Sequence, residues 1–272
     1  LASAHFQSAL WGDSHIRGTV MSSATIDAIS RDDLLAWHKA QVIPNNSVLA
    51  ISGDFDATKV QADLERAFGR WKKAAVPAAP AVKMPETRGL RIRLVDKPGQ
   101  TQSHIRIGNV GIAHGDSDFY AALAFNYSLG GGGFSSRLMK VVRSAEGKAY
   151  TASSRFDRNR ERGDFVAATF TRSAETVATV KLMQEVIGTM AKEGPTADEL
   201  ADATTNISGS YAMRFETASD YASALLAADL HDFSDNYVSQ YPLNVSKVTR
   251  SQAAKAAKRL LDPQSGVLVI VG

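Results

Sequence analysis

Residues 25–53 and 244–272 align without a gap at a constant offset of 219. Arg31 meets Arg250, Pro44 meets Pro263, Val48-Leu49 meets Val267-Leu268, Ile51 meets Ile270 and Gly53 meets Gly272. Ile26, Ile29 and Ser30 meet Val245, Val248 and Thr249, residues of like character. One shared Pro or Gly is what any two helix-to-strand units offer, but this many in one register marks an internal repeat. With the second unit beginning near Leu90, the first is expected to begin about 130 residues before Leu1. The chain therefore reads as the last part of one homologous unit (1–73), a connector (74–88) and most of a second unit (89–272).

The connector, AAVPAAPAVKMPETR, is rich in Ala and Pro without periodicity, which favours an extended, semi-rigid segment. Ahead of it, Ser30 with Asp33 forms a capping-box signature for an amphipathic helix, and Pro44-Asn45-Asn46 breaks that helix. SVLAIS (47–52) then has the character of a buried strand. Asp56 caps a further helix through Val60, Leu64, Ala67 and Phe68, with Gly69 as its stop. Beyond the connector, LRIRLV (90–95) and SHIRIGNVGI (103–112) read as strands. Asp116 or Ser117 opens a helix through Tyr120, Leu123, Ala124 and Tyr127, and Ser135 or Ser136 caps another that Gly147 stops. AYTASSRF and DFVAATFT read as paired strands around the polar turn RNRERGD. From Ser173 a helix places Val177, Val180, Met183, Ile187 and Met190 on one face and ends at Gly194-Pro195. Thr196 with Glu199 starts a further capping box, with helical character to about Leu230. The expected class is α+β, an antiparallel sheet packed against helices.

Composition removes several functions. The chain has no cysteine, so it has no disulfide framework, thiolate metal site or cysteine nucleophile. Its 31 basic residues nearly balance 28 acidic ones, far from the basic stripe of a nucleic-acid binder. Arg155, Arg158, Arg160 and Arg162 cluster, but Asp157, Glu161 and Asp164 interleave with them, as on a solvated hairpin end. No apolar run reaches the roughly eighteen residues of a transmembrane helix.

The run LGGGGFSSRLMKVVRSAEGKAYTASS (129–154) resembles the second-half signature of the pitrilysin-like zinc metallopeptidases, the group that includes insulin-degrading enzyme and mitochondrial processing peptidase. ISRDDLLAWHKAQVIPNNSVLAISGDFD (29–56) is similar to the end of that family's first half, and ALWGDSHIRG (9–18) more loosely to the piece before it. Members consist of two homologous halves, in agreement with the repeat. The resemblance implies a zinc peptidase whose His-x-x-Glu-His helix and downstream Glu lie in the first half, before Leu1. His5, His15, His38, His104, His114 and His231 are scattered and no two share that spacing, so no metal ligands are expected in this chain and zinc is expected in the intact protein or its partner. His38 and His104 read as outward-facing polar residues.

In the family, the second half supplies an Arg and a Tyr seven positions apart that reach toward the scissile carbonyl, and Arg143 and Tyr150 have that spacing. A guanidinium offers a fixed fork of donors that never loses its charge, and a phenol adds a donor able to follow an oxygen as it becomes an oxyanion. Gly147 is expected to make the turn between them. Two positions depart from the family pattern: Ser144 stands in place of an acidic residue and Lys148 in place of Leu, leaving both donors while putting specificity in doubt. Gly130, Gly131, Gly132 and Gly133 are not a phosphate loop, because no Gly-Lys-Ser/Thr follows. Two readings of the run stay open, a tight turn with close packing and a substrate-touching loop.

The resemblance thus implies the inactive, substrate-holding half of a metalloendopeptidase, with peptides and the missing N-terminal half, or a zinc-bearing subunit, as partners. The alternatives are a zinc-less subunit of a heterodimeric peptidase and a peptide-binding or structural subunit. Lack of cysteine suits periplasm and cytosol alike, and the exported bacterial members tilt the expectation to the periplasm.

Overall fold

The computed structural model describes residues 1–79, 83–86, 88–145, 149–234 and 236–272. In chain order its helices are α1 (Ala2–Trp11), α2 (Ser23–Asp27), α3 (Arg31–Gln41), α4 (Ala57–Phe68), α5 (Phe119–Asn126), α6 (Thr176–Glu193), α7 (Ala197–Gly209), α8 (Ala218–Leu230), α9 (Tyr237–Ser246) and α10 (Arg250–Leu260). Its strands are β1 (Leu90–Val95), β2 (Gln102–Val110), β3 (Ala149–Arg158), β4 (Arg162–Arg172) and β5 (Gly266–Val271). Contacts divide the chain into two units, Leu1–Val20 with Lys83–Ala212 and Ser239–Gly272, and Met21–Val82 with Met213–Val238. This division cuts the chain differently from the repeat, since Leu1–Val20 packs with the sheet.

The larger unit is α+β, built on a five-stranded sheet in the order β1-β5-β2-β4-β3. β5 enters between β1 and β2, pairing parallel with the first and antiparallel with the second. β2 pairs antiparallel with β4, and β4 with β3, so the sheet is mixed by virtue of β1 alone. Alternation along the strands gives each face its own layer. Val166, Val267, Val269 and Val271 point to the face covered by Phe6, Leu10 and Trp11 of α1. Gly108 lets that helix seat, because a Cβ there would lie 2.8 Å from Cζ of Phe6. The residues between them, including Ile105, Ile107, Phe165 and Ala167, are buried toward the other layer, where α5, α6 and α10 pack.

α6 buries Val180, Met183, Ile187 and Met190, whereas Val177 is exposed, one turn too early to reach the sheet. α9 contains Pro242, which lacks the amide a helix interior requires and so hides that helix from sequence reading.

The smaller unit holds the first copy of the repeat. α3 and α10 have the same bounds at the offset of 219, and each begins with a capping box, Ser30 with Asp33 and Thr249 with Gln252. The copies part at the strand. β5 is central and buried, but 47–52 is unpaired, with Val48 and Leu49 exposed. The expected strand is therefore not formed. A strand is completed by hydrogen bonds from neighbours, and among the described residues no strand lies beside this segment.

Candidate substrate-binding site

The end of α5 and the glycines after it carry the chain to the outer strand of the sheet. The Asn126 side chain donates to the Ser154 carbonyl at 3.2 Å and accepts from Ser154 Oγ at 2.8 Å, fixing this end to β3. A π-helical turn, Tyr127–Gly131, follows. A Cβ on Gly130 would collide with the amide nitrogen and Oγ of Ser154 and lie 2.8 Å from Cδ1 of Leu138. Gly130→Ala is therefore expected to destabilise the fold by about 2 kcal/mol, whereas Gly133→Ala, in open space but at φ 58°, costs about 1 kcal/mol. Urea denaturation of the two variants tests the order.

A short 3₁₀ turn, Gly133–Ser135, then lifts Phe134 to the surface, and Ser136 leads into a helical run whose last part, Met139–Ala145, is π-helical. Ser136 does not cap that run with its side chain; its Oγ donates back to the Gly133 carbonyl. Leu138 and Val142 are fully buried, which aims the opposite side of the run outward. The run's start is anchored by Arg137, whose Nε and Nη2 donate to the two carboxylate oxygens of Glu199 at 2.7 and 2.6 Å, and whose Nη2 also reaches the Gly194 carbonyl at 3.0 Å. Burial pushes the Glu199 carboxyl up. The guanidinium hydrogen bonds, the Thr196 amide and the positive charge together outweigh it and hold Glu199 below the usual carboxylate range.

Arg143 lies at the end of this run and Tyr150 at the start of β3, and the structure brings them together. The guanidinium carbon sits 5.1 Å from the Tyr150 ring centroid and 4.8 Å from that of Phe134. Tyr150 is 73% exposed. Its register relative to β4 shifts between Ala149 and Ala152, a bulge that re-aims the side chains within it. β3 is also an edge strand, so the far side of this site is open. Gly147 and Lys148, expected between the two residues, lie outside the described residues. Phe134 was not among the residues expected at the site. Its one sequence signal was a large aromatic ring placed between glycines and serines, where no core can use it.

The four glycines do different things. Gly130 and Gly131 complete the π-helical turn, Gly130 in close packing, while Gly132 and Gly133 shape the turn beneath Phe134. At the hairpin end Arg155 is exposed, while Arg158 stacks on Phe119 at 5.3 Å.

The described residues do not fit a metal ion. Among the described residues no group of three or more His, Asp and Glu side chains is placed to hold one. His38 and His104 are exposed. His15 is buried beside Trp11, with Nδ1 accepting from the Arg17 amide. No helix is long and apolar enough to cross a membrane among the described residues.

The chain as a whole is similar to known proteins in sequence and in its mixed sheet with a helical layer. Residues 28–207 match the family described as the peptidase M16 inactive domain, and the chain belongs to that family. It is 26% identical over 271 residues to an uncharacterized zinc protease of Streptomyces coelicolor, covering 97% of this chain and 59% of that protein. An uncharacterized zinc protease of Mycobacterium tuberculosis is 25% identical over 268 residues, covering 97% and 61%. The chain thus spans about three fifths of the length of these relatives. Among solved structures, a peptidase M16 inactive domain from Pseudomonas fluorescens superposes with a TM-score of 0.90 at 27% identity, covering 100% of this chain and 64% of that one. A protease from Helicobacter pylori shares the fold with a TM-score of 0.86 at 19% identity, covering 99% and 65%.

Proposed function

We propose that this chain is the substrate-holding half of a zinc-dependent metalloendopeptidase, with the zinc ligands carried by the N-terminal half or a partner subunit. The observation that supports this most is the convergence of Arg143 and Tyr150 at an exposed sheet edge. Both offer hydrogen-bond donors, and the pair suits an oxygen that gains negative charge as a peptide carbonyl becomes tetrahedral. The guanidinium supplies a permanent positive charge and the phenol a neutral hydrogen bond. This chain's part is to bind and orient the carbonyl and to stabilise charge on it.

The bare surface of the smaller unit supports a partner of the repeat's own kind. Leu34, Trp37, Val48 and Leu49 are exposed, whereas their counterparts Ala253, Ala256, Val267 and Leu268 are buried under a completed sheet and its helices. The N-terminal half would supply that sheet, with 47–52 as an inner strand.

The chain alone is expected not to hydrolyse peptides, and addition of the N-terminal half is expected to restore cleavage. A zinc-free preparation of this chain that cleaves a quenched fluorescent peptide by itself would overturn the reading. Restoration only by a separately encoded subunit would instead make the chain one member of a heterodimer.

A further inference from the structure

We propose that Phe134 is a positioning residue for Arg143, and that the glycine at 133 serves to place it. The proposal rests on the reading of Arg143 as a substrate-holding group. Phe134 is 74% exposed, so the fold does not use its ring as core. Its one ring contact among the described residues is the Arg143 guanidinium, 4.8 Å from the ring centroid.

The backbone beneath it is tied down. Ser135 Oγ donates to the Gly132 carbonyl at 2.8 Å, and Ser136 donates to the Gly133 carbonyl through both Oγ, at 2.7 Å, and its amide, at 3.1 Å. Gly133 takes φ 58°, a conformation that side-chain-bearing residues rarely adopt, with no atom nearby that a Cβ would strike. The glycine at 133 is therefore there for the direction of the chain and not for space. That direction sets Phe134 beside Arg143.

Stacking suits the task better than an ion pair. An arginine side chain has many rotamers, and a carboxylate that fixed it would occupy its donors and cancel its charge. An aromatic ring instead contacts the face of the guanidinium and leaves the in-plane N–H groups free for an oxygen. Among the described residues no ion pair or hydrogen bond engages the Arg143 guanidinium. With Tyr150 as the second ring, the arginine is held oriented before a substrate arrives, which lowers the cost of ordering it in the transition state.

The test has two arms. In this chain, ¹⁵N NMR of the Arg143 Nε–H group should show a ring-current shift that Phe134→Ala abolishes and Phe134→Trp keeps. In the reconstituted, zinc-bearing peptidase, Phe134→Ala is expected to lower kcat by about three- to tenfold with KM little changed, and Phe134→Trp to restore it. The thermal midpoint should not move, and in an Arg143→Ala background Phe134→Ala should have no further effect. Unchanged kcat in Phe134→Ala while Arg143→Ala slows cleavage would overturn the positioning role, as would an equal loss in both backgrounds. Unchanged cleavage in Arg143→Ala would overturn the proposed function itself, and an Nε–H resonance indifferent to Phe134 would then overturn the contact as well.

Discussion

Arg143→Ala in the intact, zinc-bearing protein is expected to lower kcat by about 10²- to 10³-fold, the range found for removal of a donor that stabilises an oxyanion. The size follows from when the interaction is strongest. A neutral peptide carbonyl gains little from a guanidinium, but an oxygen carrying most of a negative charge gains far more. KM should therefore change much less than kcat. Arg143→Lys keeps the charge and loses the planar fork, so an intermediate loss is expected. Tyr150→Phe removes one neutral donor and keeps the ring that stacks on Arg143, and about a tenfold loss is expected. The double variant should lose less than the product of the two, because both donors act on the same oxygen. Steady-state kinetics on one peptide decides the matter; wild-type kcat in Arg143→Ala would remove the clamp from the mechanism.

The second large effect concerns stability. Glu199→Gln is expected to destabilise the larger unit by about 2–4 kcal/mol, because it removes one partner of a pair whose side chains are only 16% and 23% exposed. The Arg137 guanidinium would keep a buried charge facing a neutral amide. Glu199 also closes the capping box of α7, accepting from the Thr196 amide at 2.8 Å, a bond that a Gln oxygen can keep, as Gln252 does at the start of α10, so the loss falls on the ion pair. The effect depends on pH in a stated direction. The Glu199 carboxyl is held below its ordinary value, so the stability it contributes is fully present above the unfolded value of about 4.3 and is lost as pH falls through the folded value. The gap between wild type and Glu199→Gln in urea should thus be constant from about pH 7 to 5.5 and shrink below about pH 4.5. A gap that widens in acid would contradict the assignment. Arg137 begins the run that ends at Arg143, so the variant should also loosen the site.

The parts of this structure that were legible in the sequence are those decided locally. Ser30 with Asp33, Asp56, and Thr196 with Glu199 all cap the helices expected of them, because a side chain meeting amides two or three residues on needs no distant partner. The β3–β4 hairpin followed from two runs and a polar turn. The parts that were not legible depend on remote neighbours. The stretch 47–52 has the same pattern as β5, and only the presence of β1 and β2 makes one a strand and leaves the other bare. Val177 keeps helical spacing and misses the sheet. The spacing of Arg143 and Tyr150 was visible, but the bulge that aims Tyr150 and the ring of Phe134 were not, since both arise from how β3 meets β4 and how a 3₁₀ turn rises.

The place of β5 in the sheet has a consequence for the protein's birth on the ribosome. β3 and β4 form a hairpin and β2 pairs with β4, so these three strands can assemble before β5 is made. β1 has β5 as its neighbour in the sheet, and that strand is synthesised after the hairpin and the helices α6 to α10. At about 5–20 residues per second, β1 waits on the order of ten seconds with its backbone groups unpaired. During that interval Ile92 and Leu94 stand beside an open edge, a target for holding chaperones and for misassembly with other nascent chains. Arrest of synthesis before Gly266 should leave a protease-sensitive β1 beside a protected β2–β4–β3 core, and release of the last strand should close the sheet in a single step.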